Sequence, residues 1–247
     1  MIVIVNGAGG RLGQEVLKAA KGAGHSVVAV DKSGVSPEAV TYRDLADYTG
    51  AADVVIDFSS HLATAELTSY VVKRSLPLVL ATTGQTLEEK EMIYAAAKKV
   101  PLFFSANMSF GVALLVSLVK KAAAMLADDD IEIVETHHNH KADAPSGTAI
   151  MIANAISDTL GGRSIVKGRN GMQKREKGEI GISSIRIGSV VGKHEVMFGD
   201  GVETITVTHE AHDKALFAVG ALRAAAFLVK KDAGLYDMQS LVEEYNA

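Results

Sequence analysis

The stretch "VIVNGAGGRLGQEV", Val3–Val16, decides how the rest of the chain is read. It starts inside the apolar run Ile2–Val5, which reads as a buried strand, and leads into an amphipathic segment, Arg11–Lys21. Between them Gly7, Gly10 and Gly13 fall at three-residue steps, with Gly9 additional. Such a turn lets backbone N–H groups approach a pyrophosphate, which also gains from the positive end of the helix that follows. The common spacing Gly-x-Gly-x-x-Gly would need glycine where Leu12 stands, so the motif is a variant. Asp31 ends the next apolar run, "SVVAVD", 24 positions beyond Gly7 (31 − 7). That is close to the roughly 20 expected of a carboxylate that binds an adenosine ribose. Strand, turn, helix and acid in register favour a dinucleotide site over a bare tight turn with a solvated aspartate.

The same grammar continues. "DVVIDF" ends at Phe58 and precedes the helical "HLATAELTSYVVKRS"; "LPLVLATTG" precedes "TLEEKEMIYAAAKKV"; then comes "PLFFSAN". Strands separated by helix-length segments predict right-handed βαβ units and a doubly wound parallel sheet. Segment 110–127 reads as a long helix. Beyond it the pattern changes. "IEIVETHH" is a strand and "SGTAIMIANAISDTL" a helix, while 161–177 is glycine-rich and basic without apolar period and reads as a mobile loop. "EIGISSIRIG", "SVVGKHEVMF" and "VETITVTHEA" follow with no helix between them, which predicts an antiparallel sheet. A last alanine-rich helix spans 213–231. The expectation is α/β: a Rossmann domain over 1–108 rejoined by 213–247, and an α+β domain over 109–212.

Bulk properties narrow the function. Among 247 residues, 25 Lys and Arg against 29 Asp and Glu give a net charge of −4 with no basic stripe, so nucleic acid is not an expected partner. The absence of cysteine excludes disulfides, thiolate metal sites and cysteine nucleophiles. The apolar "FGVALLVSLV" is too short to span a bilayer, and the start lacks a basic leader, so no membrane segment or signal peptide is expected. A cytoplasmic enzyme is the expectation. Asp31 would repel a 2′-phosphate and Lys32 would attract one, so NADH is expected to be preferred with NADPH accepted.

The second informative stretch is "EIVETHHNHKADAPSGTA", Glu132–Ala149. His138 and His140 would share a strand face, with His137 on the other. That pair is a fair zinc fragment, yet Lys141 opposes a dication and no third ligand stands out, so no metal is expected. Pro145, Ser146 as N-cap, Gly147 and Thr148 open a helix whose first N–H groups suit a carboxylate or phosphate. Histidines and a lysine beside it make an anion pocket with proton donors near neutral pH. Downstream of a dinucleotide domain, such a pocket points to hydride transfer onto a small anion. A metal hydrolase on His138 and His140, a nucleotide sensor, or another NAD-linked enzyme on the same frame are the rival readings.

Together, "GAGGRLG", "ATTG", "SANMSFGV", "ETHHNHKADAPSGTA", "GEIGISSIRIGSVVGKHEVMF" and "THEAHDKALFAVGALRAAAFL" resemble the 4-hydroxy-tetrahydrodipicolinate reductase family, nearly end to end. The resemblance implies a reductase of diaminopimelate and lysine synthesis, acting with NADH or NADPH on a cyclic dicarboxylate. It also implies a homotetramer built through the second domain. Carried over by position, Gly7, Ala8, Gly9, Gly10, Arg11 and Leu12 would surround the pyrophosphate, and Asp31 with Lys32 the ribose. Ala81, Thr82 and Thr83, with Ser105, Ala106, Asn107 and Met108, would flank the nicotinamide. His137 and Lys141 would be the proton donors, and His138, Lys141, Gly147 and Thr148 would hold the substrate. Met108, Lys174, Ser189 and Lys214 depart from the family's usual residues.

Overall fold

The computed structural model describes residues 1–33, 39 and 41–245. The chain forms two compact units, Met1–Phe110 with Lys214–Ala247, and Gly111–Asp213.

The first unit is built on a seven-stranded, wholly parallel sheet. Its strands in chain order are β1 (Ile2–Asn6), β2 (Ser26–Val30), β3 (Thr41–Tyr42), β4 (Val54–Asp57), β5 (Leu78–Leu80) and β6 (Pro101–Phe104). A later strand, β12 (Gly234–Tyr236), pairs with β6 at the edge, giving the order β12-β6-β5-β4-β1-β2-β3. All four residues of β4 are buried, as a strand covered on both faces requires. On one face Ile4, Val55, Leu78 and Leu102 meet Leu67 and Val71 of α2 (Thr64–Arg74) and Ile93 of α3 (Leu87–Ala97). The alternate residue Phe103 packs edge-on to Phe227 of α6 (Ala215–Leu228), which also lies against α1 (Arg11–Gly22). Helices on both faces make the doubly wound sheet expected of the sequence.

Two glycines explain the first βα turn. Gly7 has φ +80, a left-handed conformation in which a side chain would be strained. At Gly13 a Cβ would sit 2.1 Å from the Gly7 carbonyl oxygen, so only glycine lets α1 approach the turn that closely.

The second unit carries a mixed sheet ordered β11-β10-β7-β9-β8. Its strands are β7 (Asp130–His137), β8 (Ile165–Lys167), β9 (Ile180–Arg186), β10 (Gly192–Gly199) and β11 (Thr204–Ala211). Ile131, Ile133, Ile182, Val196 and Phe198 turn one face onto α4 (Phe110–Met125) and α5 (Gly147–Thr159).

Two expectations are corrected here. The three strand-like runs after 178 do not form a meander: β9 pairs in parallel with β7, which separates it from β10. The segment 161–177 is not a bare loop, since it contributes β8 and is tied down by arginines. Arg175 pairs with Asp130 at 3.0 Å and with Glu132, and Arg169 pairs with Glu179. β12 and α7 (Met238–Glu244) also follow the helix at which the sequence reading stopped.

Candidate active site

In the first unit the carboxyl ends of β1, β2 and β4 open onto a cleft of about 420 Å³, lined by Asn6, Gly7, Gly10, Asp31, Lys32 and Ser59 among others. This is the topological switch point of the sheet, where open α/β folds bind ligands. Asp31 reaches back to the glycine turn, its Oδ2 accepting the Gly9 amide at 2.8 Å and its Oδ1 the Ser33 amide at 2.9 Å. A Cβ at Gly9 would lie 2.9 Å from the Asp31 carboxyl carbon, so the extra glycine makes room for the acid. Partial burial works against the Asp31 charge, but the hydrogen bonds from Ser33 and Gly9 prevail and hold its pKa below the ordinary value.

Asp57, at the end of β4, is an acid the sequence reading passed over. It has no exposed surface and accepts from Asn6 Nδ2 at 2.7 Å, Ser59 Oγ at 2.6 Å and the Thr82 hydroxyl. Burial pushes its pKa up, opposed by those hydrogen bonds. The acid thus ties Thr82 to the ends of β1 and β4. In the second loop, Ser105 Oγ donates to the Asn107 carbonyl at 2.8 Å, and Asn107 Oδ1 accepts the Ser109 amide at 2.9 Å. Ala81 and Met108 are buried, and Thr83 and Ala106 are exposed. Ala8 is buried while Gly9, Gly10 and Arg11 face solvent beside half-buried Leu12. The glycine turn and its acid therefore fit a dinucleotide, while the loops at 81–83 and 105–108 are not among the residues lining this cleft.

In the second unit β7 ends at His137, and His138–His140 lie in the turn beyond it rather than on a strand. His138 and His140 face one another with ring centroids 6.4 Å apart. No group of three or more His, Cys, Asp or Glu able to hold a metal ion occurs among the described residues. Lys141 Nζ donates to both carboxylate oxygens of Asp143, at 2.8 and 2.9 Å. A cis Ala144–Pro145 peptide leads to Ser146, whose Oγ caps α5 by accepting the Ala149 amide at 3.1 Å. A Cβ at Gly147 would meet no atom within 4 Å, so the start of α5 is open beside Thr148.

His137 and Glu135 share the buried face of β7, two residues apart, as strand alternation requires. Glu135 Oε2 lies 2.6 Å from His137 Nδ1. The Arg186 guanidinium grips the same carboxylate at both oxygens, each at 2.8 Å, and the Ser146 amide adds a contact at 3.0 Å. His194 sits across the strand pair, 5.3 Å from the His137 ring, with its Nε2 3.1 Å from Ser146 Oγ. Burial opposes the Glu135 charge, yet the bonds from Arg186, Ser184, His137 and Ser146 outweigh it and hold its pKa down to about 2. Burial lowers the pKa of His137, with Glu135 opposing. Sequence reasoning singled out His137, His138, Lys141 and the helix start, and passed over Glu135, Arg186 and His194. The one local signal was the Glu-x-His spacing on a strand.

Two family descriptions cover the chain: "Dihydrodipicolinate reductase, N-terminus" matches residues 1–108 and "Dihydrodipicolinate reductase, C-terminus" matches 111–242. The chain belongs to the dihydrodipicolinate reductase family. A relative from Caldanaerobacter subterraneus subsp. tengcongensis, named 4-hydroxy-tetrahydrodipicolinate reductase, is 46% identical over 246 residues, covering 98% of each chain. One of the same name from Clostridium novyi is 42% identical over 249 residues, covering 99% of each. The fold matches that of a dipicolinate-bound dihydrodipicolinate reductase from Paenisporosarcina sp. TG-14, with a TM-score of 0.82. That structure is 23% identical and covers 96% of this chain and 97% of its own. Membership of the dihydrodipicolinate reductase family makes this chain an oxidoreductase that uses a nicotinamide cofactor. Among the described residues, no helix is long and apolar enough to cross a membrane.

Proposed function

We propose that the chain catalyses reduction by NAD(P)H of the dehydrated ring of 4-hydroxy-tetrahydrodipicolinate, giving tetrahydrodipicolinate for diaminopimelate and lysine synthesis. The observation that carries this reading is the end of β7: a buried His137, a lysine four residues on, and an open helix start at Gly147, in a chain of this reductase family. When bound, the nicotinamide supplies the hydride.

The chain's own residues do the rest. Gly7, Ala8, Gly9, Gly10, Arg11 and Leu12 cradle the pyrophosphate at the start of α1, where the helix dipole favours it. Asp31 receives the adenosine ribose. Ala81, Thr82 and Thr83, with Ser105, Ala106, Asn107 and Met108, flank the nicotinamide, and the buried Asp57 fixes the Thr82 hydroxyl. His138, Lys141, Gly147 and Thr148 hold the carboxylates of the substrate, whose two negative charges displace Lys141 from Asp143. Hydride arrival at a ring carbon builds negative charge on the ring nitrogen side, and His137 or Lys141 delivers the proton there. General acid help of this kind is worth roughly 10²–10⁴ in rate.

NADH is the preferred cofactor because the Asp31 carboxylate opposes a 2′-phosphate; NADPH is accepted through Lys32 and Arg43, which line the same cleft. The chain works in the cytoplasm as a homotetramer. The strands support this assembly, since Ile185 and Ile187 at the end of β9 and Ile205 on β11 are exposed at 45%, 58% and 45%.

The test is oxidation of NADH by the purified protein, with substrate made in place from pyruvate and aspartate semialdehyde by the preceding synthase. Oxidation should require the synthase and both its substrates. Dipicolinate should slow it, and Lys141→Ala should raise KM and lower kcat together. Turnover untouched by Lys141→Ala would remove that residue's role, and a lower KM for NADPH than for NADH would reverse the cofactor preference.

A further inference from the structure

Four strands of the mixed sheet bring ionisable groups to bear on one imidazole. His137 meets Glu135 on its own strand, Arg186 on β9 and His194 on β10; Lys141 follows in the turn, and His209 on β11 lies directly across from His194. Of these, only Glu135 is anionic and in contact. Its carboxylate accepts from both terminal nitrogens of Arg186 and from the Ser146 amide, which fixes its plane before His137 is considered. An ionised carboxylate has no proton to give, so His137 Nδ1 must be the donor in the 2.6 Å contact. In the imidazolium the remaining ring nitrogen, Nε2, then carries the proton that can leave. It points towards Gly192, where a Cβ would lie 3.0 Å from Nε2. Gly192 directly precedes Lys193, the partner of Thr136 in the register, so the small residue sits where any larger one would crowd that nitrogen.

We propose that Glu135, clamped by Arg186, is the positioning residue of the proton-transfer site: it fixes the His137 tautomer and leaves Nε2, beside Gly192, as the atom that gives the proton to substrate. This rests on the reading of His137 as a proton donor. In the step, hydride adds to the ring carbon and the Nε2–H bond breaks as its proton moves to the ring nitrogen side. Imidazolium becomes neutral imidazole, still holding its Nδ1 proton against Glu135. The Glu135 charge stabilises the imidazolium before transfer, and the fixed ring needs no rotation during it.

Steady-state kinetics across pH on Glu135→Gln, His137→Gln and the double variant test this. Glu135→Gln keeps the shape and removes the charge, and should lower kcat about tenfold or more, a part of the roughly 10²–10⁴ that a general acid supplies, with KM unchanged. Its alkaline limb in kcat/KM should move to lower pH, because the charge that favours imidazolium is gone. In the His137→Gln background the same change should cost nothing more. Gly192→Ala should lower kcat while sparing the Glu135–His137 pair. Wild-type kcat and an unshifted profile in Glu135→Gln, with His137→Gln inactive, would overturn the positioning role and leave the proposed function standing. Full activity in His137→Gln would instead remove the proton-donor reading, and this proposal with it. Should Glu135→Gln not fold, imidazole nitrogen NMR of the histidine-labelled wild type decides. Above the pH at which His137 loses its second proton, a neutral ring protonated at Nδ1 supports the proposal, and one protonated at Nε2 overturns it.

Discussion

His194 is 4% exposed, and its Nδ1 has no hydrogen-bond partner among the described residues. Burial, then the charges of His137, His209 and Lys141 against the opposing Glu135, push its pKa from 6.5 to about 4. The folded chain therefore keeps this ring neutral where the unfolded chain would protonate it. Such a group leaves stability intact above pH 6.5 and withdraws it as pH falls from there towards 4. From pH 7 to pH 5 the loss through this one side chain should be about 2 kcal/mol. Glu135 does not obscure it, because a carboxyl held at about 2 loses its contribution only below its ordinary 4.5. Urea denaturation at the two pH values reads the difference, and His194→Asn should flatten it by about that amount. An unchanged pH dependence in His194→Asn would sink the assignment. At this scale the sequence was half legible. His137 and Lys141 stood out by crowding, whereas Arg186 and His194 reach Glu135 only through the pairing of β7 with β9 and β10. No local pattern encodes that.

Among elements, α1 offers a controlled comparison. A Cβ at Gly13 would meet the Gly7 carbonyl oxygen at 2.1 Å and the Ala8 Cα at 2.8 Å, both backbone atoms that cannot step aside cheaply. Gly22, at the other end of the same helix, has nothing within 4 Å. Gly13→Ala should therefore cost about 1–3 kcal/mol through overpacking and weaken NADH binding by lifting α1 off the turn. Gly22→Ala should be neutral or stabilising by about 0.4–1 kcal/mol and leave NADH affinity alone. Thermal denaturation and fluorescence titration separate the two, and equal effects would mean the close approach at Gly13 is not what limits the turn. Long periodic segments such as α1, α4 and α5 were readable because their apolar faces are written locally. The three-residue strands β8 and β12 were not. Their only reason to be strands is a partner far along the chain, β9 for one and β6 for the other.

For the whole molecule, the two units have separate apolar cores, one around Ile4, Val55 and Leu102 and the other around Ile131, Ile152 and Phe198. The proposed cofactor site lies in the first. NADH at a hundred times its dissociation constant should add about 2.7 kcal/mol to the unfolding free energy of the unit that binds it. Hydrogen exchange should show that gain at amides of β1, β4 and β5 and not at those of β7, β9 and β10. Equal protection in both sheets would mean that the units open as one body. The doubly wound class was visible from the alternation of strands and helices. That β12 would close the same sheet was not, for want of any helix-length spacing after Leu228.

The first unit is interrupted: its chain leaves at Phe110 and resumes at Lys214, bringing α6 and β12 to a sheet whose other six strands precede them. A ribosome delivers residues in one direction, so the inserted unit emerges complete while the first still lacks α6 and an edge. During that interval Phe103 has no Phe227 to cover it, and β6 presents unpaired backbone to its surroundings. The nascent chain is thus most exposed to misassociation after the inserted unit is finished. The nucleotide half, first to be translated, is the last to become whole.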